Sequence, residues 1–287
     1  MPFRLVKGSF HLTGLRPDGD SVKFQAANPK IWDKITGRHR VKAKNGRVQL
    51  RFEGVDALET HYQPKVKGST EVRQPFANEA TAFTLGSLGF KDVKWGPKGK
   101  KVSSVQKDDL PGYIFTRDAD PYGRPISFVY AGKTAAADGS LVTVSPARLR
   151  ASVNYKLAQA GQAYPLYYNT LFPDVRNAFT KAVQQARAGK KKGLWKKDKT
   201  PGFAFTGLKS ITDENPIFPK LFRRLAEHLA KGGTVSNFRK FLAGQKDDGV
   251  TILPQSHHTS ALDFVVKVKG NKIGMTVLPE NLVFDPK

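Results

Sequence analysis

Cysteine is absent from all 287 residues. That excludes disulfide scaffolds, zinc–thiolate sites and thiol nucleophiles, and it leaves the compartment open. No apolar run approaches the ~20 residues of a membrane-spanning helix. Residues Met1 to His11 lack the apolar core of a signal peptide, which favours an intracellular location. Acidic residues are scarce: 24 aspartates and glutamates face 48 lysines and arginines, a net charge of +24. An excess of that size excludes an acidic solvating protein and points to a polyanionic partner. What the chain does have is 39% hydrophobic residues with 19 phenylalanines, the composition of a packed core rather than a disordered basic tail. At roughly 150 residues per domain, its length allows one large domain or two small ones.

The positive charge is uneven. Residues 1–200 hold 36 basic and 16 acidic residues, and residues 201–287 hold 12 and 8. The change follows the cationic stretches Lys190–Lys192 and Lys196-Lys197-Asp198-Lys199 and leads into Thr200-Pro201-Gly202. A domain boundary is placed there, giving 1–200 and 201–287.

Residues 1–200 read as short strands interrupted by helices. Strands are predicted at Phe3–Leu12, Ser21–Ala27, Arg47–Val55, Gly112–Thr116 and Pro125–Tyr130. In the third, Val48, Leu50 and Phe52 alternate with Gln49, Arg51 and Glu53, so Arg51 leaves by the face opposite the core. Helices are predicted at Pro75–Leu88, with Phe76, Ala80 and Phe83 on one side, at Ala147–Ala160, and at Pro173–Ala188. The last opens on proline, ends at Gly189, and spaces Val175, Phe179 and Val183 four residues apart. Many short strands with few helices predict a β-rich α+β fold, a small barrel with helices packed outside.

Two segments read as loops added to this frame. Pro29–Gly46 carries Lys30, Lys34, Arg38, Arg40, Lys42 and Lys44 against Asp33 alone, with Trp32 and His39 among them. Gly96–Pro111 carries Lys98, Lys100, Lys101 and Lys107, offset by Asp108 and Asp109. Cations with an interleaved ring suit single-stranded nucleic acid, with charge for phosphate and a ring for base stacking. Either loop alone reads more simply as a solvated basic loop.

Three stretches carry acids and arginines into turns at strand ends, where side chains can converge on a cleft. They are Asp18-Gly19-Asp20-Ser21, the run Arg51-Phe52-Glu53-Gly54-Val55-Asp56-Ala57-Leu58-Glu59-Thr60, and Asp120-Pro121-Tyr122-Gly123-Arg124. Taken singly, each has a plain structural explanation, such as an Asp-Gly hairpin turn or a solvated arginine. Together and in this order they resemble the staphylococcal nuclease (thermonuclease) family over about residues 3–195. Supporting matches are Gln74-Pro75-Phe76-Ala77, Asn154–Gly161 and Gly193-Leu194-Trp195.

The resemblance implies an OB-fold barrel and calcium-dependent hydrolysis of DNA and RNA. It implies Asp20 and Asp56 as calcium ligands, joined by the backbone carbonyl of Ala57; such oxygens suit a hard cation. Two neighbouring carboxylates repel unless a cation lies between them. Glu59 is implied as the residue that accepts or orients the proton of the attacking water. Arg51 and Arg124 are implied as the phosphate clamp, since a guanidinium offers two parallel hydrogen bonds and keeps its charge at any working pH. Tyr122 and Tyr167 match tyrosines that line the family's nucleotide pocket. The chain departs from the family at Ala57 (threonine there), at Leu58 (proline there), at Asn169 (a second pocket tyrosine there), and in its longer loop 29–46.

Other motifs fail on chemistry. Gly132-Lys133-Thr134 resembles the end of a phosphate loop, but Ser127 stands where the first glycine belongs. His257-His258 has no third nearby histidine or cysteine to complete a metal site. Residues 201–287 resemble no family. Helices are expected there at Ile217–Ala230 and Val235–Leu242, and strands at Phe264–Val268 and Lys272–Val277 joined at Gly270-Asn271. A segment that short is expected to pack on the nuclease domain or to mediate self-association. The sequence thus leads to a calcium-dependent, sugar-nonspecific nuclease preferring single strands, because an OB-type groove admits an unpaired strand more readily than a duplex. The competing reading is a barrel that binds nucleic acid without turnover.

Overall fold

A single residue joins the two edges of the main sheet. The computed structural model describes residues 2–189, 193–245, 249–253 and 255–286. The cationic run Lys190–Lys192 and the side chain of Lys98 lie outside what is described. Strands β1 (Phe3–His11), β2 (Lys23–Ala26), β3 (Arg47–Gln49), β4 (Arg51–Phe52), β5 (Leu110–Ala119), β6 (Pro125–Ala131) and β7 (Leu141–Val142) form one sheet. Its order is β3-β2-β1-β5-β6-β4, with β7 paired to β1. Strands β3 and β4 end up at opposite edges, yet only Leu50 separates them in the chain. Six strands laid flat would hold those edges about 24 Å apart, at ~4.8 Å per step. Two residues of backbone reach about 7 Å. The sheet therefore curls on itself, as an OB-like barrel requires.

Phenylalanines fill the curl. Phe3 meets Phe128 edge-on at 5.4 Å between ring centroids, and Phe10 meets Phe24 at 5.2 Å. All four are essentially without exposed surface. The predicted strand Arg47–Val55 is instead three pieces, because Leu50 turns its N–H to the carbonyl of Val22 and Gly54 adopts φ +81°. A side chain at Gly54 would also press within 2.7 Å of the Phe179 ring. The last piece, Val55–Asp56, leaves the main sheet and pairs with Tyr164–Pro165.

Helix α1 (Ala77–Leu88) lies where it is predicted, but Ala77, Ala80, Thr81, Thr84, Leu85 and Leu88 form its buried face. Phe76 precedes the helix at φ +63°, and Phe83 is half-buried, so neither belongs to that face. The helix predicted over Ala147–Ala160 is two, α2 (Pro146–Ala151) and α3 (Val153–Gln159). Ser152 breaks it with an extended backbone, and its hydroxyl accepts the Tyr155 N–H at 3.1 Å, capping the second segment.

Packing groups the chain into two units, Met1–Glu53 with Thr81–Leu157, and Gly54–Ala80 with Ala158–Lys287. The first holds the curled sheet. In the second, α4 (Pro173–Ala188) buries Val175, Phe179 and Val183 as their spacing predicts. Helices α5 (Pro219–Ala230) and α6 (Phe238–Ala243) follow, and the hairpin Val266–Lys269 / Lys272–Met275 turns at Gly270-Asn271. The predicted start of α5 at Ile217 moves to Pro219, which occupies the first turn where its missing N–H costs nothing. Residues 201–287 pack within this unit against earlier chain. Tyr167–Tyr168 pairs in parallel with Val283–Phe284, Arg187 forms an ion pair with Glu280, and Gln74 donates to the carbonyl of Ile217 at 2.7 Å. Among the described residues, no helix is long and apolar enough to cross a membrane.

Candidate active site

In the first unit the Asp18–Asp20 turn is tied down by its backbone. Its two ends pair through Asp18 and Ser21, the Gly19 carbonyl accepts the Thr84 hydroxyl at 2.5 Å, and the Asp20 carbonyl accepts the Phe52 N–H at 3.0 Å. Asp20 is thereby held beside β4, the strand that carries Arg51.

Register then brings the two arginines together. Strand β4 pairs in parallel with β6 so that Arg51 lies opposite Ile126, two residues beyond Arg124. Between them sits Asp120, which is almost wholly buried. One of its carboxylate oxygens accepts the backbone N–H groups of Tyr122 (3.0 Å) and Arg124 (2.9 Å), fixing the turn. The other accepts Arg124 Nε at 2.7 Å, with Arg124 Nη2 at 2.7 Å and Arg51 Nη1 at 3.9 Å. Two guanidinium groups share one carboxylate, so the cluster keeps a net positive charge. Both arginine side chains remain partly open, 34% for Arg124 and 24% for Arg51. That combination of fixed planes, residual charge and access suits a phosphate. At nearby Glu53, burial pushes the carboxyl above the ordinary range, against the opposing pull of Arg117 and Arg51.

Tyr122 is 55% exposed, with the Arg124 guanidinium 5.6 Å from its ring centroid. The basic loop 29–46 is anchored on the same turn and strand. Lys42 N–H donates to the Gly123 carbonyl at 2.9 Å, and Arg38 Nε reaches Asp118 at 3.0 Å. Trp32 is not a stacking ring. It is buried, and its indole N–H donates to the carbonyl of Gly46 at 3.0 Å, so it holds the loop from inside.

In the second unit, Asp56 and Glu59 lie on the segment after Gly54. The Glu59 backbone is clamped by Gln74, whose side chain accepts its N–H at 3.2 Å and whose own N–H donates to the Glu59 carbonyl at 2.8 Å. Gln74-Pro75-Phe76-Ala77 is thus the support of the carboxylate segment. Ala57 is buried beside them. The side chains of Asp56 and Glu59 converge on one group, the guanidinium of Arg223. Nη1 and Nη2 reach the two Asp56 oxygens at 3.1 and 2.8 Å, and Nη1 also reaches Glu59 Oε1 at 2.5 Å. Burial works against the Arg223 charge, but the two carboxylates outweigh it and hold its pKa well above the usual value.

Tyr167 is placed differently from its expected role. It has no exposed surface, its hydroxyl meets Thr180 Oγ1 at 3.1 Å, and burial pushes its pKa up. A ring so enclosed is a packing group and has no face for a base. Asn169 lies alongside, donating to Asp285 at 3.2 Å.

Two site residues escaped sequence reasoning. Asp120 had a readable mark, an aspartate placed to accept N–H groups two and four residues on. Arg223 had none, because on α5 it lies off the apolar face and reads as solvated. Among the described residues no three His, Asp or Glu side chains group so as to hold a metal ion.

No curated protein matches the chain. A family model does, that of the staphylococcal nuclease homologues, over residues 49–197, just over half the chain. The match takes in Arg51, Asp56, Glu59, Tyr122 and Arg124 and leaves out both Asp20 and Arg223. With Arg51 on β4, Arg124 on the Tyr122-Gly123-Arg124 turn and the acids after Gly54, the chain belongs to the staphylococcal nuclease homologue family.

Proposed function

We propose that this protein is a nuclease that grips the backbone of DNA or RNA, preferring single strands, and hydrolyses its phosphodiester bonds. Residues 1–200 form the nuclease domain and 201–287 an extension. The observation that carries the reading is the Arg51–Asp120–Arg124 cluster, two partly exposed guanidinium groups on one buried carboxylate. Its net charge attracts the phosphate, and its hold strengthens as negative charge builds in the transition state. Tyr122 offers a ring to the adjacent base. Glu59 takes the proton of the attacking water.

Calcium, which the family implies, would be held by Asp20, Asp56 and the Ala57 carbonyl and would polarise the phosphate. The oxygen donors are of the right kind. Asp56 as it stands does not fit a divalent ion, because both its oxygens already accept hydrogen bonds from a guanidinium. The same guanidinium occupies Oε1 of Glu59. That contact favours a second reading, a barrel that binds nucleic acid without cutting it.

Labelled single-stranded DNA and RNA, incubated with calcium, with a chelator, and with Arg124→Ala, separate the two readings. Cleavage that needs calcium and falls by on the order of 10²–10³ in Arg124→Ala supports the nuclease. Tight, salt-sensitive binding with no cleavage supports the binding module. Cleavage indifferent to both changes overturns the proposed site.

A further inference from the structure

Helix α5 presents a built polar edge to residues 56–62. Besides the Arg223 contacts to Asp56 and Glu59, Glu227 accepts the Tyr62 hydroxyl at 2.6 Å and pairs with Arg224 at 2.7 Å. The Tyr62 ring packs edge-on to Phe222 at 6.2 Å, and Leu221, Phe222 and Leu225 bury the helix's apolar face. The guanidinium is therefore not a loose surface arginine that has drifted onto an acid. It is held in place by the neighbouring Phe222 against the Tyr62 ring and by Glu227, one turn on, against the Tyr62 hydroxyl, and it satisfies an acid pair that would otherwise repel.

We propose that Arg223 is the resident cation of this acid pair. It occupies both oxygens of Asp56, a carboxylate a divalent ion would need, and the extension thereby closes the site to calcium until the guanidinium withdraws. Both cations need the Asp56 oxygens and they repel each other, so they exclude one another. The inference deepens the nuclease reading, since it concerns the control of that site.

The test is calcium titration of the full-length protein by calorimetry, with no nucleic acid present, alongside calcium-dependent thermal melting. The wild type is expected to show no saturable calcium binding in the low millimolar range. Arg223→Gln and Arg223→Ala are expected to bind at least ~10-fold more tightly, and adding Asp56→Asn should abolish the gain. Arg223→Lys keeps a cation and should behave like the wild type. If the neutral variants unfold without calcium, rescue of their fold by calcium supports the proposal. Failure of calcium to rescue them overturns it, as does equal binding by wild type and variants, or binding by neither. Because nothing is cleaved in this experiment, it stands or falls apart from the nuclease reading, which the cleavage assay decides.

Discussion

Arg223 meets Asp56 end-on, each Nη on its own carboxylate oxygen, at 3.1 and 2.8 Å. The partners are 167 positions apart in the chain. One lies within the family match, and the other lies in the extension beyond it. Such bidentate pairs are the strong form of ion pair and lose much when one partner is removed. The extension is thus tied to the acids of the family-matched segment.

Asp120 holds the guanidinium groups of Arg124 and Arg51 and also caps its own turn. Asp120→Ala should cost about 1–3 kcal/mol of stability, because buried donors lose their acceptor. It should also weaken single-stranded DNA binding about tenfold, or ~1.4 kcal/mol. Asp120→Asn keeps the acceptor for the backbone N–H groups but not the charge, so it should restore stability more than affinity. Urea melts and fluorescence anisotropy would read the two effects separately.

Asn154 is fully buried and satisfies three backbone groups: the Val129 N–H and the carbonyls of Glu53 and Ser127, each at 2.9 Å. Asn154→Leu would strand the Val129 N–H and the Glu53 carbonyl, while the Ser127 carbonyl keeps the Glu53 N–H at 3.0 Å. At about 1–3 kcal/mol for each group left unpaired, a loss of roughly 2 kcal/mol or more is expected. The urea midpoint should fall with the slope unchanged.

Glu53 gives the stability a pH dependence of known sign. Burial raises its folded pKa above the unfolded value of about 4.3. Between those two values the folded state binds more protons than the unfolded one, so this residue's contribution falls as pH rises. Above the folded value the penalty is fully present, and below the unfolded value it is absent. Glu53→Gln should therefore gain stability relative to the wild type as pH rises from about 4. Urea denaturation across pH 4–8 would check this, and a constant difference would refute it.

The anchored loop 29–46 places Lys42 against the Tyr122-Gly123-Arg124 turn, where a Cβ on Gly123 would lie 2.4 Å from the Lys42 side chain. Affinity for single-stranded DNA should fall steeply with salt. Lys42→Ala should weaken binding evenly across sequences and lower the salt slope by about 1. Gly123→Ala combines φ +81° with that clash and should cost more affinity than Lys42→Ala does.

The sequence by itself determined what local chemistry and periodicity can carry. The +24 charge, the family motifs, the strands 3–11, 23–26 and 125–131, and the helix 173–188 opened by a proline all follow from neighbours within a few residues. Tertiary structure alone decided which groups meet across long separations. The barrel curls because β3 and β4, one residue apart, sit at opposite edges of one sheet. Trp32 and Tyr167 turn inward because apolar surface is available to cover them, although Trp32 stands among charged neighbours in the chain. Arg223 lands on Asp56 and Glu59 because the apolar face of α5 fixes how the helix docks, and its polar edge is carried along with it. Helical periodicity tells which side of α5 is buried, but it holds no record of what the other side touches.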